Sequence, residues 1–168
     1  MKDFKIPLVI TLIAVLFGIA LGAFFGIQEE SIKGYIAKGL SQNTSINALE
    51  EPKKQIEIEK LKEKSWRYVQ RAHFHGGGIA AITLGLLLFI VHLALGKGIK
   101  LFLAYGLSLS ALIYPFFWLL SGLKAPWIGT GAAKESYAFL AYSGGIYVLL
   151  VFLLLLLTAW RGFQKEAF

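Results

Sequence analysis

The sequence predicts an all-α integral membrane protein, a four-helix bundle with a long charged helical segment outside the membrane that leads into the second span. Hydrophobic residues make up 57% of the 168-residue chain and charged residues only 16%, whereas an average soluble domain has ~25% charged residues. Four apolar runs without an acidic residue also reach the ~20 residues that a helix needs to cross a bilayer: 6–27, 76–96, 99–123 and 137–160. Residues 1–168 are therefore expected to form a single membrane domain.

The first run, residues 6–27, is predicted to remain as an anchor helix, because it is longer than the ~7–15-residue apolar core of a cleaved signal peptide. Ala14, Gly18, Gly22 and Gly26 recur at every fourth position. Such a ridge of small residues lets a second helix come close. It predicts a packing face inside the bundle, and self-association through Gly18, Gly22 and Gly26 is the alternative.

Residues 28–72 are predicted to lie outside the membrane and to be partly helical. A short interfacial helix is expected at 29–40, followed by a polar loop. Pro52 suits the first turn of a helix, so a charged helix is expected to start at Lys53 and to run directly into the second span. The glycines at 76–78 are where it is expected to bend. The charged surface predicts a solvated stalk or, alternatively, a docking surface for a partner subunit.

The last two runs carry packing signals. Pro115 is predicted to kink the third span, because proline removes a backbone hydrogen bond inside a helix. Gly144 and Gly145 predict a close helix crossing in the fourth span. Tryptophan and tyrosine residues flank the runs, as is typical of membrane interfaces.

The net charge of +7 does not predict binding to nucleic acid, because the basic residues flank the apolar runs and form no stripe with interleaved aromatics. Four spans place both termini on one side, called side A, together with the turn that contains Lys97 and Lys100, whose side chains are expected to snorkel. Side B holds residues 28–72 and a loop at 122–136. The short basic N-terminus favours a multi-pass protein with both termini in the cytoplasm. The expected partners are the lipid bilayer and other membrane subunits.

The candidate chemistry lies at Arg71-Ala72-His73-Phe74-His75, just before the three glycines. Histidine and carboxylate ligands suit zinc, iron or copper, so His73, His75 and Glu135 are predicted metal ligands. The two histidines point about 200° apart on an ideal helix and would converge only on a distorted one. The five residues 71–75 resemble an Arg-Ala-His-x-His element of some haem-copper oxidases and NnrS-like membrane proteins, and this resemblance implies a respiratory membrane without assigning ligands.

An organic cofactor is the other option, with His73, His75, Arg71 and Tyr114 as the residues expected to contact it. All three histidines lie on one span, so a bis-histidine haem within the chain is geometrically excluded. The chain has no cysteine and cannot attach a c-type haem covalently. A metal ion, a b-type haem and a quinone therefore stay open as ligands, as does plain hydrogen bonding of the histidines to lipid or backbone. His92 lies ~25 Å from His75 at helical rise and is expected to be outside the site.

These observations predict a small membrane subunit or accessory factor of an electron-transfer complex, with a His-centred interfacial site for a metal, haem or quinone. Two alternatives remain. One is a non-catalytic structural or assembly protein that docks a partner through its charged helix. The other is a membrane enzyme that uses His73 or His75 as an acid or base. The apolar runs contain no acidic residue, so the carboxylates that a proton relay within the membrane would use are missing.

Overall fold

The computed structural model describes residues 2–163, and over that range the chain is helical, with no β-strand beyond one isolated bridge between Leu93 and Phe163. The all-α prediction is confirmed. A 3₁₀ turn at Lys2–Phe4 precedes six α-helices: α1 Lys5–Ser41, α2 Thr44–Asn47, α3 Lys53–His92, α4 Lys97–Ile128, α5 Thr130–Ser136 and α6 Ala138–Arg161.

Four of these helices, α1, α3, α4 and α6, are long and apolar enough to cross a membrane, and they contain the four predicted runs except for residues 93–96 and residue 137. Helix α6 has 24 residues, whereas α1, α3 and α4 have 37, 40 and 32. At a rise of ~1.5 Å per residue, α3 is ~60 Å long and exceeds a ~30 Å hydrocarbon core. Three of the four helices therefore extend well beyond the length that a span requires.

The long helices pack side by side, with α1 against α3 and α4, and α6 against α4. Both ends of the described chain meet at the end of the helices that corresponds to side A. There the Lys97 ammonium lies 2.9 Å from the Asp3 carboxylate, and the Ala94 backbone N–H donates to the Gly162 carbonyl over 3.0 Å. The two ends of the described chain therefore lie at the same end of the four long helices.

The region beyond the first apolar run agrees with the prediction in α1 and differs from it in α4. The backbone angles of α1 are non-helical only at Gln28 (φ −117°, ψ 22°), directly after the predicted run, and a second helical part follows as far as Ser41. The helix expected at 29–40 is therefore present, as the part of α1 that lies beyond this kink. Helix α4, in contrast, continues to Ile128, and α5 follows where a loop was expected. This extension packs on α1, where Gly39 meets Pro126 and Trp127, and Ala125 joins an apolar core that includes residues of α3.

These extensions build an apolar core outside the predicted spans. Helices α1, α3 and α4, together with α2 and α5, contribute Ile32, Ile36, Leu40, Ile46, Leu61, Val69, Ala125 and Ala133. Asn43 fastens the core, because its side-chain N–H donates to the Pro126 carbonyl over 2.9 Å while its oxygen caps α2. The start of α3 is therefore not a stalk that is solvated all round: its charged face is exposed and its other face is packed.

Small residues on α1 and α3 allow these helices to touch through their backbones. A Cβ atom added at Gly18 would lie 2.4 Å from the backbone nitrogen of Gly77, whereas one added at Gly26 would meet nothing within 4 Å. The predicted packing face is confirmed at Gly18. Helix α3 runs unbroken through residues 76–78, so the predicted bend does not interrupt it, and Gly76 and Gly77 serve close approach instead.

Polar side chains also connect the apolar halves of the helices. The hydroxyl oxygens of Thr11 and Ser108 lie 2.8 Å apart and join α1 to α4, and those of Thr83 and Tyr147 lie 3.0 Å apart and join α3 to α6. The Lys100 ammonium donates to the Val91 carbonyl over 2.7 Å. Lys100 is only 8% exposed, so the prediction that it snorkels is wrong: it caps the end of α3.

Candidate functional site

The two predicted site histidines leave α3 on different faces. The imidazole of His73 faces α1, where it lies over Gly22. The imidazole of His75 faces α4, and its ring centroid is 5.2 Å from that of Tyr114. An undistorted helix turns residues i and i+2 by about 200°, so the unbroken course of α3 keeps the two rings apart.

The predicted metal ligands are accordingly not gathered into one centre. Within residues 2–163, no three His, Cys, Asp or Glu side chains lie close enough together to hold a metal ion. Glu135 is exposed on the short helix α5, and His73 and His75 face different helices. The intact helix of α3 is the physical reason, because convergence of the two histidines required a distorted start of the span.

The predicted cofactor contacts Arg71, His75 and Tyr114 do lie together, in an aromatic cluster between α3 and α4. The Arg71 guanidinium carbon lies 4.7 Å from the ring centroid of Trp118 and 5.6 Å from that of Tyr68. Such contacts are cation–π interactions. The Nδ1–H of His75 donates to the Arg71 carbonyl one turn earlier, over 2.8 Å. We call these five residues the His75 cluster.

The His75 cluster is filled by its own side chains. The ring of Tyr114 lies so close to α6 that a Cβ added at Gly144 would be 2.5 Å from its Cε2 atom. The Trp118 ring packs on His75 and on Phe117, with centroid distances of 6.0 and 5.0 Å. The cluster therefore holds α3, α4 and α6 together, and it offers a ligand little room.

His73 borders an open groove between α1 and α3, which we call the His73 groove. Its volume is 200 Å³, and its lining comes from α1 (Gly22, Phe25, Gly26, Glu29) and from α3 (Trp66, Gln70, His73, Phe74). The groove lies where the apolar run of α1 ends and that of α3 begins. It combines an imidazole, a carboxylate and a carboxamide with three aromatic rings.

The imidazole of His73 is held in one orientation. Its Nδ1 atom lies 2.9 Å from the Gly18 carbonyl oxygen, and a carbonyl can only accept, so Nδ1 carries the proton. In a neutral imidazole Nε2 is then an acceptor, and Nε2 has no hydrogen-bond partner among residues 2–163. The Phe25 ring meets the imidazole edge-on at 6.2 Å. His73 therefore presents an acceptor atom of fixed orientation that no group of residues 2–163 contacts through a hydrogen bond.

The local sequence explains how the groove forms. Trp66, Gln70 and His73 are spaced by four and three residues and so share one ridge of α3. On the facing helix, Gly22 leaves space for the imidazole, since a Cβ there would be 2.5 Å from the Cε1 atom of His73. Glu29 reaches the groove only because α1 continues beyond the kink at Gln28.

Sequence reasoning missed most of the groove. It identified His73 but not Phe25, Glu29, Trp66 or Gln70, because nothing in the sequence says that α1 and α3 face each other at this height. The signal that could have found them is the ridge Gly18–Gly22–Gly26, which marks the side of α1 that a neighbour approaches. Glu29 lies one turn beyond Gly26 on that side.

Glu29 closes the solvent end of the groove. Its carboxylate is half exposed and lies 2.6 Å from the Lys33 ammonium, so the groove is charged at its mouth and aromatic below.

The chain matches no protein-family model, and comparisons with curated proteins and with solved structures find no significant match. The groove geometry is therefore the basis for a functional assignment.

Proposed function

We propose that this chain is a multi-pass membrane protein that serves as a small subunit or accessory factor of an electron-transfer complex, and that its His73 groove binds the ring of a quinone or quinol. The observation that carries the proposal is the fixed imidazole of His73, whose Nε2 acceptor faces no partner among the described residues. A quinol hydroxyl is the kind of donor that this atom accepts.

The size of the groove favours a ring-sized headgroup over a whole cofactor. Typical ligand pockets measure ~300–1,000 Å³, whereas the groove measures 200 Å³. A quinone needs only its ring to enter, because its isoprenoid tail stays in the hydrocarbon region. The location at the end of one apolar run and the start of another supports this, since a lipid-soluble molecule presents its polar part at that depth.

The remaining groove residues complement such a ring. The Glu29 carboxylate accepts from a second quinol hydroxyl, while the Gln70 amide donates to a quinone carbonyl. Phe25 and Trp66, with ring centroids 6.0 Å apart, provide aromatic faces for the ring to pack on. One site can thus hold both the oxidised and the reduced form.

Metal and haem are the less favoured ligands. A metal site would need a third ligand beside His73 and Glu29, which no His, Cys, Asp or Glu of residues 2–163 supplies. A b-type haem would have to fit a macrocycle between Phe25 and Trp66. Elemental analysis and an absorption spectrum of the purified protein test both options: we expect no stoichiometric metal and no Soret band.

We further propose that side A is cytoplasmic, which places the His73 groove at the opposite face of the membrane. Support comes from the short basic N-terminus, in which Lys2 and Lys5 precede the first apolar run, as is typical of a segment that stays in the cytoplasm. Reporter fusions at the two termini test this: both must report the cytoplasm, and a periplasmic or luminal signal from either one would contradict it.

The binding experiment titrates a short-tailed ubiquinone or menaquinone analogue into the purified protein and measures heat. His73→Asn is the informative variant, because its amide N–H can still donate to the Gly18 carbonyl while the Nε2 acceptor is lost. Loss of one hydrogen bond of about 0.5–1.5 kcal/mol predicts roughly two- to tenfold weaker binding.

His75→Ala and His92→Ala are the matched controls and are expected to bind like the wild type, because neither residue lines the groove. Weakened binding in His75→Ala with unchanged binding in His73→Asn would move the site to the His75 cluster. No measurable binding of either quinone by the wild type would overturn the proposal.

A further inference from the structure

A second groove lies between the same two helices, nearer side A. It is a cavity of 390 Å³ between the beginning of α1 and the last turns of α3, and every residue that lines it except Lys5 is apolar. Phe4 and Leu8 form one wall, and Leu84, Leu88 and Val91 form the other. We call it the side-A groove. It shares no residue with the His73 groove.

The side-A groove is shaped for a linear apolar chain. The groove follows residues 84–91 of α3 over a length of ~10 Å, at a helical rise of ~1.5 Å per residue. Leu87 forms a floor that is 4% exposed, whereas Leu8 and Leu88 at the rims are 42% and 68% exposed. The groove is therefore closed towards the protein and open sideways, in the direction that faces lipid if the helices span a bilayer.

Positive charge without an acidic partner among residues 2–163 lies at one end of this groove. Lys5 belongs to its lining, and Lys2 lies three residues earlier. Within residues 2–163, neither lysine takes part in an ion pair. Asp3, the acid beside them in sequence, is bound to Lys97 at 2.9 Å, and that hydrogen bond lowers the pKa of the Asp3 carboxyl. The Asp3 carboxylate is thus paired with Lys97 and not with Lys2 or Lys5.

We propose that the side-A groove binds one anionic phospholipid, with an acyl chain along residues 84–91 and the phosphate at Lys5. Two features support this proposal. The groove is apolar and open sideways, and Lys2 and Lys5, which have no ion pair within residues 2–163, lie at the end of it where the apolar runs end. Basic residues at a membrane surface attract anionic headgroups. A zwitterionic lipid could fill the groove but would gain less from the lysines.

The test reconstitutes the full chain in mixed micelles with equal amounts of phosphatidylglycerol and phosphatidylcholine of the same acyl chains. Native mass spectrometry then measures which lipid stays bound. We expect the wild type to retain one phosphatidylglycerol preferentially. Each nearby lysine contributes about fivefold to the attraction of an anionic lipid, so Lys5→Ala should lower the preference by about that factor, and Lys134→Ala, an exposed lysine at side B, should not change it.

A second variant separates the groove from general surface charge. Leu88→Trp places a large side chain at the exposed rim and should lower the retention of both lipids, while the lysines stay in place. Equal retention of the two lipids by the wild type, or an unchanged preference in Lys5→Ala, would overturn the proposal. Neither result bears on quinone binding, which uses residues 22–29 of α1 and 66–74 of α3.

Discussion

The Nδ1 atom of His73 lies 2.9 Å from the carbonyl oxygen of Gly18, which belongs to the neighbouring helix. This contact joins two features that seem separate in the sequence, the small-residue ridge of α1 and the histidines of α3. The imidazole can reach the Gly18 carbonyl only because Gly22 has no side chain in its way. Helix packing thus fixes the orientation of the candidate site residue.

Gly18→Ala tests the close contact of α1 and α3. The added Cβ would lie 2.4 Å from the Gly77 backbone nitrogen, which cannot move without shifting a helix, so we expect a loss of about 1–3 kcal/mol in the free energy of unfolding. Gly26→Ala is the control: it meets nothing within 4 Å and gains up to about 1 kcal/mol of helix propensity. Thermal unfolding in detergent compares them, and equal stability would contradict the contact.

Thr11→Val tests the hydrogen bond between α1 and α4. Both Thr11 and Ser108 are fully buried, so the variant leaves the Ser108 hydroxyl without its partner. Hydrogen bonds between membrane helices contribute about 0.6–1.7 kcal/mol, and we expect a destabilisation of that size. Thr158→Val is matched, because the Thr158 hydroxyl donates only to Leu154 of its own helix. A larger effect from the Thr158 variant would argue against the contact.

Lys100→Met tests the lysine cap on α3. The variant keeps most of the apolar stem but leaves the Val91 carbonyl at the end of α3 without its donor. A hydrogen bond from a charged group contributes about 1.5–3 kcal/mol, so unfolding in detergent should require measurably less denaturant. Lys97→Met removes an exposed ion pair with Asp3 and is expected to have a smaller effect. The reverse order would show that Lys100 is solvated.

The protonation pattern of His73 gives a spectroscopic prediction. Because its Nδ1 faces a carbonyl oxygen, we expect the neutral imidazole to be the Nδ1–H tautomer, and not the Nε2–H form. The ¹⁵N chemical shifts of selectively labelled histidine distinguish the two tautomers at mildly alkaline pH. His73→Asn assigns the signal by removing it. A protonated Nε2 in the neutral ring would contradict the contact with Gly18.

The extent to which the sequence predicts this molecule differs between its parts. The four apolar runs and the continuous helix from Lys53 follow from residue type and spacing, since hydrophobic length and helix breakers are local properties. The extension of α4 to Ile128 was missed, because packing on α1 and α3 stabilises that segment and such contacts are not local. The hydrogen bond of the Lys100 ammonium likewise depends on where the end of α3 lies in the folded chain.

The sequence likewise predicts only part of the candidate site. The sequence identified His73 as a site residue and placed Arg71, His75 and Tyr114 together, because α3 and α4 are adjacent in the chain. It grouped His73 with His75 and Glu135, whereas the regular helix turns the two histidines apart and α5 holds Glu135 at the surface. Glu29 comes from a different helix, and only the packing of α1 on α3 brings it to His73.

Photo-crosslinking tests the central claim most directly. An azido-quinone is bound to the purified chain and irradiated, and the labelled peptides are identified by mass spectrometry. The His73 groove predicts label on residues 22–29 and 66–74, reduced in His73→Asn and by an excess of unmodified quinone. Label confined to residues 114–118, beside His75, or label that an excess of quinone does not reduce, would contradict the account.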